Sequence, residues 1–321
     1  MEKIRLAYPD ICKFVAIFIV TWSHCAQCIS GEIWTNFWGG TKIDIAFNMP
    51  LFMLMNGWFI NPTKIRIVNM RRFFADKFTR LIIPAVSWYF ICCLLNFNRP
   101  RIGGVASFYW YLTALFVCLC IIYISIRLIK NIYLCAILSS IIVVLCPHSD
   151  FVNINFMFPF IWSGFFLRKQ IDNKNMILFI VICIIIGLIL SINWNPDMTV
   201  YRCPFKIISV NANMIITYIY RFVIGFSFSV AIIYFIKRVE KTRNMIILSQ
   251  FGRFSLVIYT SSIAFIALIS KLFDYFNYHT NQYVLLDCLS FLLCVMIVII
   301  TILLSVQFRK NKYTRLFLLG E

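Results

Sequence analysis

The stretch 8-YPDICKFVAIFIVTWSHCA-26 decides how the rest of the chain is read. It is apolar over nearly its whole length, yet it carries Asp10, Lys13 and His24. Runs of this kind recur along all 321 residues: 62% of the chain is hydrophobic and only 13% is charged, with a mean hydropathy of +0.87. Soluble domains lie nearer half apolar and a quarter charged, and no soluble core of this size can bury so much Ile, Leu and Phe. The composition predicts an all-α polytopic membrane protein, a single membrane domain over residues 1–321.

A spanning helix needs about 17–25 mostly apolar residues. Ten candidate stretches fit or nearly fit, at 11–29, 45–61, 78–97, 106–126, 132–146, 154–167, 176–193, 214–236, 255–276 and 284–308. The fifth and sixth are short, as tilted or broken helices are. The first run lacks a small-residue cleavage site and is read as a retained helix.

The net charge of +18 does not point to nucleic acid, because the basic residues sit between apolar runs. With ten spans, 23 of the 30 Lys and Arg residues fall on the side that holds both termini. The other side has Lys42, Arg99, Arg101, Arg202, Lys206 and Lys271, and Arg221 lies within a span. Positive residues accumulate on the cytoplasmic side, so both termini are expected there. The longest loops are 62–77 inside and 194–213 outside. The thirteen cysteines are scattered through apolar runs, and Cys25-x-x-Cys28 has no second pair; they read as packing residues, with no metal site.

Within the first span, eleven residues separate Lys13 from His24. That is close to three helical turns and roughly 16 Å of rise. The two side chains share a face, at different depths, and Asp10 lies one turn before Lys13 on the same side. Ionisable groups at membrane depth are costly and commonly face a cavity or a partner. A neutral His24 in an interhelical hydrogen bond is the plain alternative; the aligned Lys13 favours a lined passage.

The second span, 44-DIAFNMPLFMLMNGWFINP-62, is interrupted by Asn48, Pro50, Asn56 and Gly57. A kink for helix packing accounts for Pro50 and Gly57 but not for the two asparagines. The third is entered through 71-RRFFADKFTRLIIP-84, where Lys77 and Arg80 share a face beyond Arg71 and Arg72. Such a basic cluster serves lipid headgroups and topology; it also suits phosphate, which arginine forks grip well.

Taken in order, these pieces resemble the membrane acyltransferase 3 family. Asp10-x-x-Lys13-x10-His24 is similar to its first-helix signature. Asn48-Met-Pro-Leu-Phe52 with Asn56-Gly57-Trp58-Phe59 resembles its second-helix pattern. Lys77-x-x-Arg80-Leu-Ile-Ile-Pro84 resembles its basic pair. Trp110-Tyr-Leu-x-x-Leu115, Pro159-Phe160…Gly164-Phe-Phe-x-Arg168 and Phe251-Gly-Arg-Phe-Ser-Leu-x-Ile-Tyr259 resemble later motifs. Many sugar-acetylating members have His at the position of Asn48 and Ser at that of Asn56. A His often found shortly after the position of Tyr259 is replaced by Thr260-Ser261-Ser262.

The resemblance implies a ten-helix enzyme of the bacterial cytoplasmic membrane that moves an acyl group, commonly acetyl from acetyl-CoA, to an extracytoplasmic glycan or envelope precursor. No permanently bound cofactor is implied; acyl-CoA is the donor substrate. On that reading Lys13, Arg71, Arg72, Lys77 and Arg80 bind the donor phosphates, and His24 is the catalytic base or acyl carrier. Asp10 orients Lys13, and Asn48 or Asn56 donates to the oxyanion. The rival class is a transporter of a glycan or lipid-linked intermediate. Against it stand the lack of an inverted repeat and of a carboxylate deep within a span to couple ions; Asp274 and Asp287 lie at span ends.

Overall fold

The computed structural model describes residues 6–31, 44–96, 99–101, 103–145, 153–173, 176–192, 212–280 and 282–321. Residues 193–211, which hold Arg202 and Lys206 of the loop expected at 194–213, lie outside the described residues, as do Lys3, Arg5, Lys42 and Lys174. Among the described residues every regular element is helical and there is no strand.

A helix occupies each of the ten apolar stretches. These are α1 (Tyr8–Ser30), α2 (Asp44–Trp58), α5 (Ile83–Leu95), α7 (Trp110–Leu128), α8 (Ile132–Leu145), α9 (Ile154–Gln170), α10 (Met176–Ile192), α11 (Ala212–Val239), α13 (Ser255–Tyr275) and α14 (Tyr283–Phe308). Six helices are long and apolar enough to cross a membrane: Tyr8–Ser30, Met70–Leu95, Trp110–Leu128, Ile215–Val239, Ser255–Tyr275 and Val284–Phe308. The chain is thus a multi-pass membrane protein. The 14 residues of α8 rise only about 21 Å, short of the roughly 30 Å hydrocarbon layer.

Segments read as loops from the sequence fold into further helices. The stretch 62–77 forms α3 (Pro62–Ile67) and α4 (Met70–Lys77), and α12 (Arg243–Gly252) precedes α13. The side chain of Asn61 accepts from the Lys64 amide to cap α3, and that of Asn69 accepts from the Arg71 amide to cap α4. Asn caps with apolar residues beyond are a helix-start signal that outweighs the polar composition of the segment.

The third apolar stretch starts earlier than expected, because α4 continues into α5 through a π turn at Phe78–Ile82. Pro84 explains the widening. It has no N–H for the carbonyl of Arg80, four residues back, and its ring would crowd that oxygen in a regular turn. The same problem arises at Pro159 in α9, where the orphaned carbonyl belongs to Asn155. There the Tyr218 hydroxyl of α11 donates to it at 2.9 Å. At Pro50 in α2 the corresponding oxygen is that of Ala46, and Gly225 of α11 packs directly over it and over the proline ring. Lipid offers no water for such groups, so neighbouring helices satisfy or cover them.

The described helices fall into two compact units. In the first (Met1–Ile45, Thr79–Tyr109 and Ile236–Glu321), α1 packs on α12, α13 and α14, and α13 packs on α5. Trp22 Nε1 of α1 donates to Ser290 Oγ of α14 at 2.9 Å. The final turn, Arg315–Leu319, folds back on α5, where Trp88 Nε1 donates to the Leu318 carbonyl at 3.2 Å. In the second unit (Ala46–Phe78 and Trp110–Phe235), α7, α8 and α9 pack together and α3 lies on α7.

Close backbone approach packs the helices within each unit. A methyl on Gly57 of α2 would lie 1.8 Å from the Ile161 oxygen of α9, and one on Gly164 of α9 would lie 2.0 Å from the Leu54 oxygen of α2. In the first unit a methyl on Gly252 would meet the Asp10 oxygen at 1.9 Å. Small residues let membrane helices gain van der Waals contact where the hydrophobic effect is absent. Gly57→Ala and Gly252→Ala should each cost about 1–3 kcal/mol or more. Thermal unfolding of purified protein in detergent should show the midpoint falling by several degrees in both variants; an unchanged midpoint would refute the packing.

Candidate functional site

Each unit carries part of the chemistry expected from the sequence. In the first, α1 begins with Pro9 in its first turn, where a missing N–H costs nothing. The amide of Tyr8 donates to Glu240 Oε2 at 3.1 Å, and Lys237 lies 5.6 Å from the Tyr8 ring centre. Asp10 is buried under Gly252 of α12, Lys13 is half-buried and His24 is exposed. The three residues keep the order read from the helical repeat, with the carboxylate packed and the imidazole accessible.

His24 Nδ1 lies 3.3 Å from Oε1 of Gln27, one turn further on. In the tautomer with hydrogen on Nδ1 that oxygen accepts it, and Nε2 then keeps its lone pair. Gln27 was not singled out from the sequence. The signal was present as His24-x-x-Gln27, an i, i+3 pair on one helix face.

In the second unit, the end of α2, with α3, α4 and one face of α7, encloses a cavity of about 570 Å3. It is lined by Asn56, Phe59, Ile60, Asn61, Lys64, Ile65, Val68, Arg72, Phe73, Asp76, Lys77, Leu119 and Ile122. Three residues expected from the sequence, Asn56, Arg72 and Lys77, therefore line one space. Lys64 joins them, a residue with no mark in the sequence beyond its charge. Lys77 Nζ pairs with Asp76 at 3.1 Å, and Lys77 lies 5.7 Å from the Phe73 ring centre. Three cations against one carboxylate, over an apolar floor, suit an elongated anion with an apolar part.

The cavity has a rigid frame. Arg168 Nη1 of α9 donates to the Trp58 carbonyl at the end of α2, at 2.9 Å, placing a cation on the last turn of that helix. Tyr123 of α7 donates to the Val68 carbonyl at 2.9 Å, between α3 and α4. Asn56 Nδ2 donates to Phe52 O at 2.8 Å and to the Tyr111 hydroxyl at 3.1 Å. Both amide hydrogens are thus engaged, and none is left for an oxyanion; the spare capacity of Asn56 is that of an acceptor. Asn48 is buried, with its Oδ1 accepting from the Met49 amide at 2.6 Å, and it does not line the cavity. Arg71 faces a separate concavity, and Arg80 sits on the π turn of the first unit. Among the described residues no group of three His, Cys, Asp or Glu side chains converges as a metal site would require.

Comparison with known proteins adds a relative and a family. Nodulation protein NolL of Sinorhizobium fredii is 24% identical over 223 residues, covering 60% of this chain. The matched part is 58% of that relative's length. No solved structure matches. The family described as "Acyltransferase domain" matches residues 6–306, which takes in the α1 stripe, the cavity and nearly all the helices described above. The chain belongs to the acyltransferase 3 family of membrane acyltransferases.

Proposed function

We propose that this acyltransferase moves a short acyl group, acetyl by default, from cytosolic acyl-CoA to a hydroxyl of an extracytoplasmic glycan or envelope precursor. Its place on this reading is the bacterial cytoplasmic membrane, with ten spans and both termini inside. The observation that carries the reading is the cavity in which Lys64, Arg72 and Lys77 meet an apolar floor. Coenzyme A matches it chemically, with phosphates at one end and a flexible, uncharged pantetheine arm at the other.

His24 supplies the base. Its Nε2 takes the proton of the acceptor hydroxyl as that oxygen attacks the thioester carbonyl carbon. The C–S bond breaks, and the imidazolium returns its proton to the departing thiolate. The Nδ1–H bond to Gln27 keeps the ring in the tautomer that this step needs. Lys13, about half a span toward the cytoplasm, is a cation that the family resemblance assigns to the donor phosphates, and Asp10 holds the start of the stripe. The membrane's hydrocarbon layer separates donor from acceptor, so a reaction on a spanning helix removes the need to export the acyl-CoA.

Mass spectrometry of ester-linked acyl groups on envelope glycans tests the reading in cells lacking the gene. Wild type should restore them, whereas His24→Ala should lower the acylation rate by about 10²-fold or more at equal protein level. Full restoration by His24→Ala would remove the base. Loss of the glycan itself from the surface, with acylation unchanged, would indicate a transporter instead. In a purified assay, Lys64→Ala and Arg72→Ala should raise KM for acetyl-CoA roughly tenfold with kcat little changed, the sign of lost ground-state binding. Reporter fusions after Lys130 and Gln170 should read as cytoplasmic, and one after Thr280 as external.

A further inference from the structure

Next to the cavity at Lys64 and Arg72 lies a second concavity, of about 550 Å3, that the sequence did not set apart. Asn69 and Arg71 line it from the start of α4, and Tyr123 and Arg127 from the end of α7. The two spaces share an aromatic wall. Phe73, which lines the first, stacks on Tyr123, which lines the second, with ring centres 4.5 Å apart and planes 28° apart. Consecutive arginines divide between them, Arg72 to the first and Arg71 to the second.

Arg127 is fixed in place. Its Nη2 donates to the Val68 carbonyl at 2.5 Å and to the Tyr123 hydroxyl at 3.0 Å, and its guanidinium lies 5.3 Å from the Tyr123 ring centre. Those bonds use Nη2 alone, so Nε and Nη1 keep three N–H donors. The Arg71 side chain makes no hydrogen bond or ion pair among the described residues. No carboxylate lines this space. Two guanidiniums, one held rigidly and both with donors to spare, suit a doubly charged phosphate monoester rather than a single carboxylate.

Coenzyme A carries charge in two places, a diphosphate toward the pantetheine arm and a monoester on the ribose 3′ oxygen. We infer that the Arg71–Arg127 concavity is a subsite for the 3′-phosphate of the donor, resting on the reading of the first cavity as the acyl-CoA site. The enzyme then distinguishes CoA thioesters from those lacking that phosphate. An anionic lipid headgroup offers related chemistry and is the competing source of the phosphate.

Equilibrium dialysis of the purified full chain in nanodiscs of neutral lipid tests this, with radiolabelled CoA and dephospho-CoA as probes. Wild type should bind CoA on the order of tenfold more tightly than dephospho-CoA. Arg71→Gln and Arg127→Gln should remove that preference and leave dephospho-CoA affinity within about twofold. Arg71 is exposed and unbonded, so its variant keeps the fold even if loss of Arg127 loosens α7. Equal wild-type affinity for both probes, or equal losses for both in Arg71→Gln, would overturn the subsite while leaving the donor cavity standing. Variants that lose only their capture of anionic lipid, with the CoA preference intact, would assign the arginines to headgroups and overturn it too. Failure of wild type to bind either probe would remove the donor reading itself, and the subsite with it.

Discussion

A backbone carbonyl inside hydrocarbon has no water to accept from, and this one constraint shapes much of the structure. Three prolines in apolar helices each leave a carbonyl four residues back without its donor. The protein answers in three ways: the Tyr218 hydroxyl for Asn155, a widened turn at Arg80, and the close cover of Gly225 over Ala46. Each answer brings a second helix or a changed helical pitch to the proline. The breaks that look like weaknesses in the sequence are therefore points where helices are tied together.

The widened turn also holds a residue expected at the site. It falls on Phe78–Ile82 and so carries Arg80, one of the cations that the family resemblance implies for the donor phosphates. Gly320, with φ of 68°, packs against the backbone of Arg80 and against Pro84; a Cβ there would stand 2.7 Å from the Arg80 oxygen. Leu319 is buried beside it, and Arg309 forms a two-point ion pair with Glu321 at 2.6 and 3.1 Å. A segment that looks like a polar tail thus braces the turn that holds Arg80.

The helix 1 stripe was legible because it depends on one number, the 3.6-residue repeat. Asp10, Lys13 and His24 follow from it without any knowledge of neighbours. The cavity was only partly legible. Arg72, Lys77 and Asn56 were visible as polar residues out of place, but Lys64 and Arg127 looked like ordinary cytoplasmic cations. What distinguishes them is the folding of 62–77 into α3 and α4 against α7, which depends on caps at Asn61 and Asn69 and on the Tyr123 bond to Val68. The role considered for the Asn56 amide illustrates the opposite case. Its position was readable, but the hydrogen bonds that engage both its N–H groups come from a helix 55 residues away and from its own preceding turn.

By itself the sequence determined that this is a helical membrane protein, which stretches are apolar helices, and which face of the first carries the imidazole. These properties arise from burial of apolar surface and from local periodicity, both additive along the chain. Tertiary structure decided which cations share a cavity and which carbonyl each interrupted helix leaves to a neighbour. These depend on distances of a few ångströms between residues far apart in sequence, or on the rotamers of neighbours, and no repeat along one chain encodes them.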